Sequence, residues 1–113
     1  MKRTLFLTLS LLLFGGMYSH VLAQGEGKIT ITSPKDGETL HASSIVVLEV
    51  EVDKGIEGDH IHLYIDGYFE AIVKEESYKM KGLPKGEHSI VVKLATKRHK
   101  ELGPEDTVKF TIE

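Results

Sequence analysis

Cysteine and tryptophan are absent from this 113-residue chain, and proline occurs only three times. Without cysteine there can be no disulfide framework, so a hydrophobic core must hold the fold alone. Thiolate zinc sites and blue-copper sites need cysteine sulfur and are excluded. The missing tryptophan disfavours a carbohydrate-binding platform. Basic charge is also scarce: 14 Lys and Arg stand against 17 Asp and Glu. A nucleic-acid binder would want a basic face, and none is visible. No nucleophile motif, phosphate loop or paired acid/base set occurs, so the sequence offers no support for an enzyme.

The first 23 residues read as a secretory signal peptide. Met1-Lys2-Arg3 is a short basic start, Leu5 to Met17 is apolar without charge, and Val21-Leu22-Ala23 has the small-residue cleavage pattern. The apolar run is too short to span a bilayer, so no membrane span is expected in the mature protein. Cleavage after Ala23 leaves 90 residues carrying twelve cations, formally −5. A domain of that size can bury a core but not a deep catalytic cleft. No cysteine follows the cleavage site, so the expected product is periplasmic or secreted and not a lipoprotein. Met80 becomes the sole methionine, which excludes a Met-rich copper(I) site.

Residues 24–28 (QGEGK) read as a flexible polar arm, and residues 29–113 as one domain. From Ile29 on, apolar residues recur at period two, with turn residues every eight to twelve positions. Val46, Leu48, Val50, Leu63, Ile90, Val92, Leu94 and Phe110 fall on inward phases and form the predicted core. No helix-period window of useful length follows the leader. The pattern predicts an all-β, immunoglobulin/fibronectin-like antiparallel sandwich of seven to eight strands. Asp66-Gly67 is the tightest hairpin signal. A two-residue turn on Asp66-Gly67 would put Glu70 on the same face as Leu63, inside the core. A three-residue loop, Ile65 to Gly67, instead pairs Leu63 with Phe69 and sets Glu70 across from His62. Thr96 to Pro104 reads as a charged loop before a short last strand.

The frame I-x-I-x-S-P-x-D-G at Ile29–Gly37, L-P-x-G-x-H at Leu83–His88 and V-x-F-T at Val108–Thr111 resembles bacterial immunoglobulin-like domains. That resemblance implies a fold and no activity. Leu83 to Ile112 also resembles the end of CopC-type periplasmic copper-resistance domains. There the histidine of the last loop is a copper(II) ligand, which the resemblance carries to His99. Two departures stand against it: Lys97 replaces that family's aspartate, and Gln24 would replace its N-terminal histidine. His60, His62, Leu63, Gly86, His88 and His99 further match, in order, the H-x-H-L, G-x-H, loop-His pattern of uncharacterised exported domains.

Five histidines survive cleavage, and the fold divides them. His60 and His62 lie two apart on a strand, so both point to one face about 6.6 Å apart at Cα. In a sandwich of this type the loop holding His99 lies at the same end. His60, His62 and His99, with Glu70 as a carboxylate option, therefore form the candidate metal set. Imidazole and oxygen ligands suit copper(II) or zinc. On this reading His60 and His62 sit on a solvated outer face. His88 points inward at the mouth of the core, tied to nearby backbone, and His41 reads as surface.

Two function classes follow. One is an exported metal-binding domain, for copper(II) or zinc, acting as carrier, buffer or resistance factor. The other is an immunoglobulin-like interaction module engaging an envelope protein partner through the His60–Tyr64 face. Neither involves nucleic acid, and the sequence carries no signal of oligomeric state.

Overall fold

A computed structural model of the chain describes residues 25–41 and 45–113. The expected signal peptide and Gln24 lie outside the described residues. Eight strands run through them: β1 (Lys28–Ser33), β2 (Thr39–Leu40), β3 (Ile45–Asp53), β4 (His60–Ile65), β5 (Tyr68–Val73), β6 (Ser77–Lys81), β7 (Gly86–Ala95) and β8 (Glu101–Ile112). They form a three-stranded sheet, β1-β3-β6, and a five-stranded sheet, β2-β8-β7-β4-β5. All pairings are antiparallel except β2 with β8. Among the described residues no helix is long and apolar enough to cross a membrane.

The core lies between the sheets, where inward positions of both alternate with exposed ones. β3 shows the period plainly: Val46, Leu48 and Val50 are buried while Val47, Glu49 and Glu51 are exposed. All eight predicted core residues are buried, with Leu63, Ile90, Val92 and Leu94 wholly so.

The hairpin corrects the expected register. Asp66 and Gly67 take positive φ angles of 52° and 86°, the two-residue turn whose twist matches the flanking strands. Ile65 pairs with Tyr68 and Tyr64 with Phe69, then a bulge shifts the ladder so that Leu63 faces Ala71 and His62 faces Ile72. The bulge resolves the conflict that favoured a longer loop. It extrudes Glu70 to solvent in place of burying it against Leu63.

β8 also begins earlier than expected. Only Thr96 to Lys100 form a loop, and Glu101 already pairs with Ala95. Gly103-Pro104 reads as a breaker in sequence. Here the β7–β8 ladder shifts register between Lys93–Glu105 and Ala95–Glu101, so Pro104 falls in the irregular stretch, where no paired position needs its missing N–H.

Candidate metal centre

The site is built on β4, which lies between β7 and β5 in the larger sheet. Ile61, Leu63 and Ile65 face the core, so His60 and His62 share the opposite face. That face is not solvated. His60 and His62 are buried at 2% and 7% exposure. The Thr96–Lys100 loop brings His99 back over them, and Phe69 packs edge-on to His62 at 5.7 Å between centroids. Burial by a loop more than thirty residues downstream is why the alternation reads as solvated in sequence.

Three ring nitrogens converge. His60 Nε2 lies 3.2 Å from His62 Nε2 and 3.1 Å from His99 Nδ1, and all three atoms fall within 4.8 Å of one another. The loop is built to hold His99 there. Thr96 Oγ1 accepts from the Arg98 and Lys100 amides, and the His99 amide donates to the Thr96 carbonyl. His99 itself has φ 68°, a left-handed conformation that a residue other than glycine adopts at a cost.

The outer nitrogens settle the tautomers. His60 Nδ1 is 2.9 Å from Asp59 Oδ2, and His62 Nδ1 is 3.0 Å from Glu101 Oε2. An ionised carboxylate only accepts, so each Nδ1 carries the proton and donates. Both carboxyls are held below the usual range. The hydrogen bond from His60 does this for Asp59, and those from Tyr64 first and His62 second do it for Glu101. The Tyr64 hydroxyl donates to Glu101 Oε2, which pushes the phenol above its ordinary pKa. Lys93 Nζ stands 3.6 Å from Glu101 Oε1 and 5.3 Å above the Tyr64 ring.

With both Nδ1 atoms protonated, neutral rings would aim their Nε2 lone pairs at each other across 3.2 Å, a contact that becomes favourable when a metal ion, or a proton shared by the two nitrogens, lies between them. A tetrahedral centre with metal–nitrogen bonds of 2.0–2.1 Å separates its ligand atoms by about 3.3 Å. Adjacent ligands of a tetragonal centre would be about 2.9 Å apart. The observed 3.1 and 3.2 Å fall between the two. Outer-nitrogen carboxylates of this kind orient ligand imidazoles and raise their basicity.

The structure thus brings His60, His62 and His99 together and leaves Glu70 out. Glu70 lies exposed at the β5 bulge and accepts from the Tyr78 hydroxyl at 3.3 Å. Ile72 stands across from His62, and the carboxylate at that imidazole belongs to Glu101. Asp59 and Glu101 are the residues that sequence reasoning missed. The D-H-x-H string at Asp59–His62 was the available signal for the first. Glu101 has none, since it falls within the charged run Thr96 to Pro104 that reads as loop.

The remaining histidines are separate. His88 is buried, with Nδ1 2.7 Å from Asp66 Oδ2 and Nε2 2.7 Å from the Pro84 carbonyl, tied as expected at the mouth of the core. His41 is exposed.

Two sheets over one core, in this strand order, make an immunoglobulin/fibronectin-like β-sandwich. No protein-family model and no curated protein matches the chain. Among solved structures it is similar to a fibronectin(III)-like module of Clostridium thermocellum CbhA, at TM-score 0.61 and 18% identity, covering 75% of this chain and 95% of that one. It is also similar to a CARDB domain from Pyrococcus furiosus solved with di-metal ions, at TM-score 0.53 and 15% identity, covering 77% and 87%. CopC from Methylosinus trichosporium OB3b superimposes at TM-score 0.48 and 15% identity over 77% and 93%, too distant to carry an argument about the site. These likenesses establish the fold alone.

Proposed function

We propose that this protein is an exported β-sandwich that binds one divalent transition-metal ion, copper(II) or zinc, through His60 Nε2, His62 Nε2 and His99 Nδ1. One observation carries the reading: His62 Nε2 and His99 Nδ1 each meet His60 Nε2 at hydrogen-bond distance, while the outer nitrogens of His60 and His62 already donate to carboxylates. Water or another exogenous ligand completes the shell, and Glu70 does not. A buffer, carrier or resistance role outside the cytoplasm fits a chain with a leader-like start and no thiol to compete for the metal. Calorimetric titration with copper(II) and with zinc tests it. One ion should bind per native chain, and none to the His60→Ala/His62→Ala variant. Intact mass of exported material should begin at Gln24, and an unprocessed Met1 start would remove the compartment from the proposal.

A second reading, an envelope interaction module, is favoured by β5. It is an edge strand with Tyr68 79%, Phe69 54% and Ile72 43% exposed, a surface suited to a partner. If native protein binds neither metal, this reading takes over.

A further inference from the structure

The three converging histidines are held unequally. His60 and His62 are buried on a central strand, and each outer nitrogen is anchored by a carboxylate. His99 is exposed, stands on a five-residue loop with a left-handed backbone, and among the described residues no carboxylate or carbonyl meets its outer nitrogen. The ligand that can move away most cheaply is therefore His99. Around its chain neighbours lies an open depression of about 540 Å³ whose lining includes Glu57, Asp59, Thr96, Lys97, Arg98 and Lys100. Lys97, Arg98 and Lys100 are all exposed, and three cations against the two carboxylates of Glu57 and Asp59 leave the lining with a net charge of +1. A free metal cation meets a net positive lining on this side, whereas an anionic ligand is drawn to the three exposed cations.

We infer that metal is exchanged past His99 by ligand substitution, with an anionic chelating group entering through the Lys97–Arg98–Lys100 depression and taking the coordination position that His99 vacates. The acceptor or donor is thus a small anionic chelator bearing carboxylates. No electron is transferred: one metal–nitrogen bond breaks and one metal–oxygen or metal–nitrogen bond to the incoming ligand forms. This rests on the metal-binding reading above and adds the route.

Stopped-flow removal of copper(II) from the loaded protein tests the route. EDTA, an anionic chelator, should strip the metal at a rate that rises with its concentration and falls with added salt. It should outpace the polyamine triethylenetetramine by about tenfold or more. The Lys97→Glu/Arg98→Glu/Lys100→Glu variant should reverse that order while still binding one ion. His99→Ala should retain copper on His60 and His62 but release it faster to both chelators, with an unchanged melting temperature of the metal-free form. A release rate independent of chelator concentration would overturn the inference and leave the metal site standing. So would a preference that survives charge reversal. Native protein that never retains copper would overturn both.

Discussion

Three histidines of this domain are buried to nearly the same degree, yet the two ends of the sandwich use them in opposite ways. At one end His88 meets oxygen acceptors with both ring nitrogens, Asp66 Oδ2 and the Pro84 carbonyl, each at 2.7 Å. Both nitrogens must donate, so the ring is an imidazolium and has no lone pair to offer a metal. At the other end His60 and His62 each meet one oxygen and, with the second nitrogen, another imidazole. Each Nδ1 donates outward, which leaves each Nε2 facing inward, where it can offer a lone pair to a metal. The comparison teaches that burial does not mark a ligand; what the second nitrogen faces does.

The largest effect should come from removing the lone pairs. A ligand that binds only the folded state stabilises it by about 2.7 kcal/mol at a hundredfold excess over its dissociation constant. The native domain should show that gain as a metal-dependent rise in melting temperature. The His60→Ala/His62→Ala variant should show none, and His88→Ala should keep all of it. Loss of the metal response in His88→Ala would break the comparison.

Next is the outer carboxylate. Glu101→Ala frees the His62 ring and should weaken metal affinity about tenfold to a hundredfold, without changing stoichiometry. Competition titration reads this directly. Unchanged affinity would mean that the carboxylates are surface partners and nothing more.

His88→Ala should cost about 1–3 kcal/mol whether or not metal is present, because it strips the partner from a buried arrangement. Its pH dependence sharpens the contrast. Burial pulls the His88 imidazole down, but the Pro84 carbonyl and the Asp66 carboxylate together raise its pKa above 6.5. Burial likewise opposes Asp66, whose pKa is nevertheless lowered from 3.8 by hydrogen bonds from His88 and the Ser89 amide. A raised imidazole contributes fully below its unfolded pKa, and a lowered carboxyl contributes fully above its own. Stability from the pair is therefore greatest between about 4 and 6.5. It declines at higher pH as His88 loses its proton, and at lower pH as Asp66 gains one. Chemical denaturation across pH should show this dome in metal-free native protein and a flatter profile in His88→Ala. The smallest effect belongs to His41→Ala, which should match native protein in both stability and metal response because the residue is exposed and outside the cluster.

The fold was legible because alternation is a local signal: one face of each long strand reaches one core, and every predicted core position is buried. Features set by distant contacts were not legible. β2 is two residues long and exists only because Thr111 and Ile112 pair with it. The start of β8 is hidden by Gly103-Pro104, tolerated where the β7–β8 ladder shifts register. The Glu70 bulge is chosen by competition between a turn and the core, which spacing alone cannot weigh. At the site, same-strand spacing and the end-of-sandwich rule suffice to bring His60, His62 and His99 together. Their burial, and the roles of Asp59 and Glu101, depend on how the Thr96–Lys100 loop folds back and where β8 begins.

Electron paramagnetic resonance of the copper(II)-loaded protein tests the central claim most directly. Hyperfine coupling to imidazole nitrogens should fit three in the native protein, two in His99→Ala and none in the His60→Ala/His62→Ala variant, which should hold no specific copper. A native spectrum without nitrogen coupling, or one unchanged in the double variant, would contradict the account.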